Sequence, residues 1–209
     1  FTRKLRPGAR PAADQEGVLL APADGRLEGC APIAAGLAMR VKGQHFSLAD
    51  LLADEAAAAR LARGRYALIY LSPRDYHRVH APVRGPVCAC KHIPGALFPV
   101  NALGMRCVPQ LFVSNERIVV QQQSKDFGLV CTVLVGAFAV GRIELCFPTS
   151  AQHEAPSQPA AQLQRGDEVG IFHLGSTVVV ISEHAGHCDH RPLSDSIRVG
   201  QALWTQDAP

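Results

Sequence analysis

Ile171-Phe172-His173-Leu174-Gly175-Ser176-Thr177-Val178-Val179-Val180-Ile181 sets a Gly-Ser pair between two apolar runs. Residues 177–181 are all β-branched, and such side chains lose freedom in a helix but pack well on a pleated surface. The run therefore reads as a buried strand entered through a tight bend at Gly175-Ser176. Working outward, residues 66–71, 118–120 and 130–140 have the same short, β-branched or aromatic character. Eighteen glycines and 15 prolines punctuate the chain, which implies many turns between short strands. One segment differs. Ser47 and Asp50 form a capping pattern ahead of Leu48, Leu51, Leu52, Ala56, Ala59 and Leu61, and Gly64 closes the run. The expected fold is α+β and β-rich, a single domain over residues 1–209. It has a barrel- or sandwich-like antiparallel sheet and a few helices, one of them long and near 47–63.

Composition bounds the function. Of 209 residues 47% are hydrophobic and 19% charged, enough for one substantial core. Seven cysteines do not form the dense paired framework of a small secreted protein, so a reducing compartment is expected. Cys88 and Cys90, one residue apart, read as buried small hydrophobes rather than a redox or zinc pair. No stretch approaches the roughly 20 apolar residues that cross a bilayer, and no signal-peptide pattern opens the sequence. A net charge of +3 with one Trp and three Tyr argues against nucleic acid. Arg3, Lys4, Arg6 and Arg10 all precede the first acidic residue, Asp14, and read as a solvated arm or a surface for anionic headgroups. Residues 148–164, with Pro156 and Pro159, read as a flexible insertion.

Three short stretches carry groups capable of chemistry. Asp24 precedes Gly25 in a common turn pattern, where a carboxylate caps local N–H groups unless it has a catalytic task. His77 and His80 lie close to Arg74, Asp75 and Arg78, and histidine titrates near neutral pH, so the pair suits metal binding, phosphate binding, proton transfer or simple surface placement. Gly175-Ser176 is a β-turn, or a strained bond whose carbonyl lies open to the serine hydroxyl. His184, His187, Cys188 and His190 have metal-like spacing but crowd one short loop, and no metal site is expected.

Taken in order, these stretches resemble the phosphatidylserine decarboxylase family. The resemblance begins with Phe1-Thr2-Arg3-Lys4-Leu5-Arg6-Pro7, Pro22-Ala23-Asp24-Gly25 and Lys42-Gly43-Gln44-His45-Phe46-Ser47. It continues through Tyr70-Leu71-Ser72-Pro73-Arg74-Asp75-Tyr76-His77-Arg78-Val79-His80-Ala81-Pro82 and Pro94-Gly95-Ala96-Leu97-Phe98-Pro99-Val100-Asn101. Leu174-Gly175-Ser176-Thr177 and Val199-Gly200-Gln201-Ala202-Leu203 complete it. The family's N-terminal membrane-associated region is not in this sequence, the 148–164 segment is shortened, and Gly141-Arg142 stands where the family usually has Gly-Ser.

The resemblance implies a self-cleaving proenzyme. It places the processing serine at Ser176, the cleavage between Gly175 and Ser176, the triad aspartate at Asp24 and the triad histidine at His80. A second active-site histidine falls at His77. Cleavage would yield subunits 1–175 and 176–209 that stay associated, with Ser176 converted to a pyruvoyl cofactor. Phosphatidylserine in the membrane is the implied substrate, with Lys42, Arg74 and Arg78 as candidate anion-binding groups. An anionic membrane surface and a homodimer are compatible partners, and the implied location is peripheral, on the cytoplasmic face of a bacterial inner membrane or a mitochondrial inner membrane. Competing readings are an unprocessed lipid-binding scaffold and a Ser-His-Asp hydrolase.

Overall fold

The computed structural model describes residues 2–6, 8–13, 15–34, 38–138, 142–148, 161–173, 176–187 and 195–206. The strands among them run β1 (Val18–Leu20), β2 (Gly25–Pro32), β3 (Ala38–Val41), β4 (Gln44–Ser47), β5 (Arg65–Leu71), β6 (Arg78–His80), β7 (Gly85–Ile93), β8 (Arg117–Ser124), β9 (Gly128–Val135), β10 (Ile143–Leu145), β11 (Gln162–Leu163), β12 (Glu168–Phe172), β13 (Ser176–Ser182), β14 (Ser196–Ile197) and β15 (Ala202–Thr205). The helices are α1 (Leu48–Leu52), α2 (Glu55–Arg60), α3 (Ala102–Cys107) and α4 (Leu111–Ser114).

The β-branched run forms β13, buried along its whole length and near the middle of an eight-stranded antiparallel sheet of order β11-β7-β8-β9-β13-β5-β2-β14. Its edges are the two-residue strands β11 and β14, so among the described residues the sheet is open rather than a closed barrel. The α+β, sandwich-like expectation holds. One face carries Val178 and its partner Leu134, and Gly170 of the three-stranded sheet β10-β12-β6 packs against Leu134. The opposite face carries Tyr66, Leu68 and Tyr70. It is covered by the β3-β4 hairpin, where Tyr66 donates to the Arg40 carbonyl at 2.5 Å, and by the helices. One cluster of buried side chains runs through these layers, from Leu19 through Phe46, Leu61 and Phe112 to Trp204.

Helix forms over the expected segment but is divided. Ala53 takes a left-handed conformation (φ 48°, ψ 41°), and Asp54 then caps a new helix by accepting the Ala57 N–H at 2.9 Å. Asp54 also takes a hydrogen bond from Gln121, which fixes the break against β8. A carboxylate that favours capping over a helix interior was the signal for this break within the alanine-rich run. The cysteine reading also changes. Cys88 is exposed and Cys90 half-buried, because β11 covers only the Gly85 and Pro86 end of β7 and leaves the rest of that strand an edge. All six described cysteines are free thiols.

Register brings most of the sequence motifs to one end of the large sheet. Ser176 pairs with Leu71, Thr177 with Val135, Arg26 with Tyr70, Val135 with Arg117, and Arg117 with Ile93. The segments 22–24, 72–77, 94–101 and 136–138 therefore all leave the sheet at the end where β13 begins. Because side chains alternate along a strand, Ser176 shares the face of Val178, toward the layer that contains β6, and Thr177 points the other way.

Ala53→Gly should raise stability by about 0.5–1 kcal/mol, since alanine in the left-handed region carries a steric cost that glycine lacks. The urea midpoint measures it, and an unchanged or lower midpoint would contradict the cap geometry.

Candidate active site

Asp24 sits immediately before β2, where the next residue must lie against β5. A side chain at position 25 would run into the Tyr70 carbonyl and the Ile69 side chain, so glycine is required there. The Asp24 carboxylate is largely buried and fully engaged. Arg10 donates to it from Nε at 3.1 and 3.2 Å and from Nη2 at 2.5 Å, and the Val199 N–H donates at 2.8 Å. The hydrogen bond to Asp24 raises the Arg10 pKa above its ordinary value, keeping the guanidinium charged. The basic N-terminal segment is therefore not a solvated arm: it lies across the site and neutralises the carboxylate.

His80 reaches the same region because β6 is held on both sides. Its N–H donates to the Pro22 carbonyl at 2.8 Å, and it pairs with Glu168 of β12. Nδ1 donates to the Gly166 carbonyl at 2.7 Å. Nε2 is then the acceptor, and it takes the Tyr76 hydroxyl at 2.9 Å. Burial, helped by the charge of Glu168, pushes the Tyr76 phenol up to about 12, so it stays a donor at neutral pH. Among the described residues no hydrogen bond joins Asp24 to His80 or His80 to Ser176.

His77 ends a turn closed by the Asp75 N–H to the Ser72 carbonyl (2.9 Å) and the Ser72 N–H to the Asp75 carboxylate (2.7 Å). It is fully buried, its carbonyl accepts the Phe172 N–H at 2.9 Å, and its Nδ1 donates to the Asp75 carbonyl at 2.8 Å. Burial lowers its pKa below the usual histidine value, so the ring is neutral at neutral pH with its lone pair on Nε2. Ser176 is likewise fully buried, and its Oγ has no hydrogen-bond partner among the described residues. A buried hydroxyl without a partner is costly and marks a place where chemistry or rearrangement is expected. Leu174 and Gly175 lie outside the described residues, as do Cys188 and His190 of the histidine-rich loop.

The three candidate anion-binding groups separate. Arg78 is buried and committed: Nη1 donates to Glu168 at 2.6 Å, while Nε and Nη2 hold the Arg3 and Thr2 carbonyls. Arg74 is exposed, and its carbonyl accepts from Arg3 at 2.7 Å. Lys42 lines a cavity of about 310 Å³ with Arg26, Glu28, Tyr70, Asn101 and Thr177, and there pairs with Glu28. Arg26 pairs with Glu28 at 2.5 Å and lies 5.5 Å from the centre of the Tyr70 ring. Glu28 cannot neutralise both cations, so the cavity mouth is positive. A smaller opening, about 270 Å³, lies over His80 and Tyr76 beneath residues 4–12. Reading the sequence missed Arg10 and Tyr76. Tyr76 lies within the 70–82 motif, and only its distance to His80 shows its contact.

Comparison with known proteins identifies the family. The family model for phosphatidylserine decarboxylase matches residues 1–205. A phosphatidylserine decarboxylase proenzyme from Bordetella pertussis is 43% identical over 97% of this chain and 72% of its own length. Proteins of the same name from Xanthomonas euvesicatoria pv. vesicatoria and Brevibacillus brevis are 40% and 36% identical, over 97% and 100% of this chain and 76% and 78% of theirs. With its ordered motifs gathered at one end of the sheet and the family match running through them, the chain belongs to the phosphatidylserine decarboxylase family and is an enzyme of that type.

Proposed function

We propose that the chain is a proenzyme that cuts itself between Gly175 and Ser176 and then decarboxylates phosphatidylserine to phosphatidylethanolamine and carbon dioxide. The observation that carries this reading is the buried Ser176 hydroxyl at the first position of β13, without a hydrogen-bond partner among the described residues. That strand is paired to β5 and β9 on its two sides, so residue 176 keeps its place when the preceding bond breaks. The pieces 1–175 and 176–209 would stay together through those ladders and through the β1-β15 and β2-β14 pairs.

In the processing step, a histidine takes the Ser176 hydroxyl proton, and Oγ attacks the Gly175 carbonyl and forms an ester as the peptide C–N bond breaks and the nitrogen gains a proton. Elimination releases Gly175 as a carboxylate and leaves a dehydro residue, which loses ammonia to water and becomes a pyruvoyl group. The serine's buried position fits that product, a small apolar methyl and a ketone. The ketone supplies the electron sink that decarboxylation of an amino acid headgroup requires and that no unmodified side chain offers.

The remaining work falls to side chains. His80, in its Nδ1–H tautomer, is the processing base once Tyr76 turns aside, and Asp24 favours the imidazolium that forms once Arg10 releases it. His77 is neutral at rest and becomes a strong donor once protonated, which suits delivery of the proton that replaces the lost carboxylate. Arg26 and Lys42 line a cavity on the Thr177 face of β13, opposite the Ser176 side chain, so they meet the charged headgroup only where it passes the start of β13 toward residue 176. No helix among the described residues is long and apolar enough to cross a membrane, and peripheral attachment at the cytoplasmic face of a bacterial inner membrane gives access to a lipid substrate.

A denaturing gel with intact mass measurement should show two fragments, 1–175 and a pyruvoyl-blocked 176–209. A single full-length mass would favour the unprocessed scaffold or an ordinary hydrolase. Ser176→Ala, His80→Ala and Asp24→Asn should each remain uncut, and cleavage of Ser176→Ala would end the scheme. His77→Ala should still be cleaved in part but lose turnover by about a hundredfold or more. Equal loss of both steps would contradict the division of roles.

Because the folded-state pKa of His77 is lowered, the stability it contributes is present above its unfolded value and is lost as pH falls below about 6.5. His77→Gln should flatten that part of the stability–pH curve, and an unchanged curve would show that His77 does not titrate on unfolding.

A further inference from the structure

The large apolar side chains exposed among the described residues are Leu97, Phe98, Leu103 and Phe138, the last two 65% and 71% exposed. All four stand at the end of the sheet where Ser176 begins. One buried side chain holds two of their segments side by side. Asn115, fully buried, accepts the Phe98 N–H at 3.0 Å and donates to the carbonyls of Phe98 and Gly136, both at 2.8 Å. The 94–101 loop is thereby fixed beside the loop that ends in Phe138. Helix α3, capped by Asn101, follows directly and presents Leu103, while Asn101, Ala102 and Met105 form one wall of the cavity that holds Arg26 and Lys42.

The charge around this patch is arranged to match an anionic surface. Arg106 and Arg142 are exposed and make no ion pair among the described residues. The nearby carboxylates are engaged: Glu28 beneath Arg26 and Lys42, Glu116 with His92 at 2.7 Å, and Glu144 with His173 at 3.4 Å. A cluster of exposed apolar side chains flanked by free arginines, with a cation-lined cavity behind it, suits the interface of an anionic bilayer, where apolar groups enter the acyl boundary and cations meet headgroups.

We propose that the Leu97, Phe98, Leu103 and Phe138 end of the molecule is its membrane-docking face, seating the cavity beside Thr177 on the lipid surface. The choice of a bilayer rather than a second copy of the chain rests on the lipid substrate proposed above and on the free arginines. This orientation brings the end of the sheet where Ser176 begins to the headgroups while the acyl chains remain in the membrane.

The test uses the full chain and sedimentation with vesicles of phosphatidylcholine alone or mixed with phosphatidylglycerol. Wild type should prefer the anionic vesicles. Leu103→Ser combined with Phe138→Ser should weaken binding roughly tenfold or more. The same variant should still split into two fragments and turn over a monomeric short-chain phosphatidylserine at the wild-type rate. Arg106→Glu with Arg142→Glu keeps the apolar groups and should remove the anionic preference, which covers the case of a misfolded first variant. Unchanged vesicle binding by both variants overturns the proposal, as does loss of a dimer without loss of vesicle affinity. A wild type that docks through this face yet leaves the monomeric lipid untouched supports the face and overturns the proposed reaction.

Discussion

Every functional element of this molecule depends on the pairing of strand Ser176–Ser182 between Arg65–Leu71 and Gly128–Val135. An antiparallel register is strongly specified when both faces are buried, because a slip of one residue would turn every side chain to the wrong layer. Here a slip would send Ser176 to the side of the cations and Thr177 to the side of the histidines. The same pairing brings the turns carrying Asp24 and His77 to one end of the sheet, although residues 24 and 176 are far apart in sequence. It would also hold the two pieces together after the proposed cut before residue 176.

Electrostatics adds a second constraint. Asp24 is nearly buried, and a buried carboxylate is tolerable only when paired and hydrogen-bonded. Arg10 and the Val199 N–H meet that requirement, so the N-terminal segment and the C-terminal 195–201 segment both close on one carboxylate. Tyr76 meets the same need for His80. Asp24 and His80 are thus satisfied, while the buried hydroxyls of Ser176 and its neighbour Thr177 find no partner among the described residues.

Much of this was legible in advance. The β-branched run announced its strand, the abundance of Gly and Pro announced an antiparallel, turn-rich sheet, and the ordered motifs pointed to Asp24, His77, His80 and Ser176. The helix near 47–63 was visible; its division at Asp54, a residue that favours a cap over a helix interior, was overlooked behind the alanine-rich pattern. Cys88 and Cys90 misled because burial of a β7 residue depends on how far β11 extends, which two residues of sequence do not reveal.

By itself the sequence determined the strand-rich character, the order of the motifs and the identity of the groups able to do chemistry, because these follow from residue type and local spacing. Which groups touch was decided only by the tertiary structure. Arg10 reaches Asp24 across 14 residues, Arg78 is consumed by Glu168 across 90, and Lys42 shares Glu28 with Arg26 at a cavity mouth. The physical reason is that charge pairing and desolvation depend on distances in space. Those distances are set by sheet register, and no local pattern in the chain encodes them.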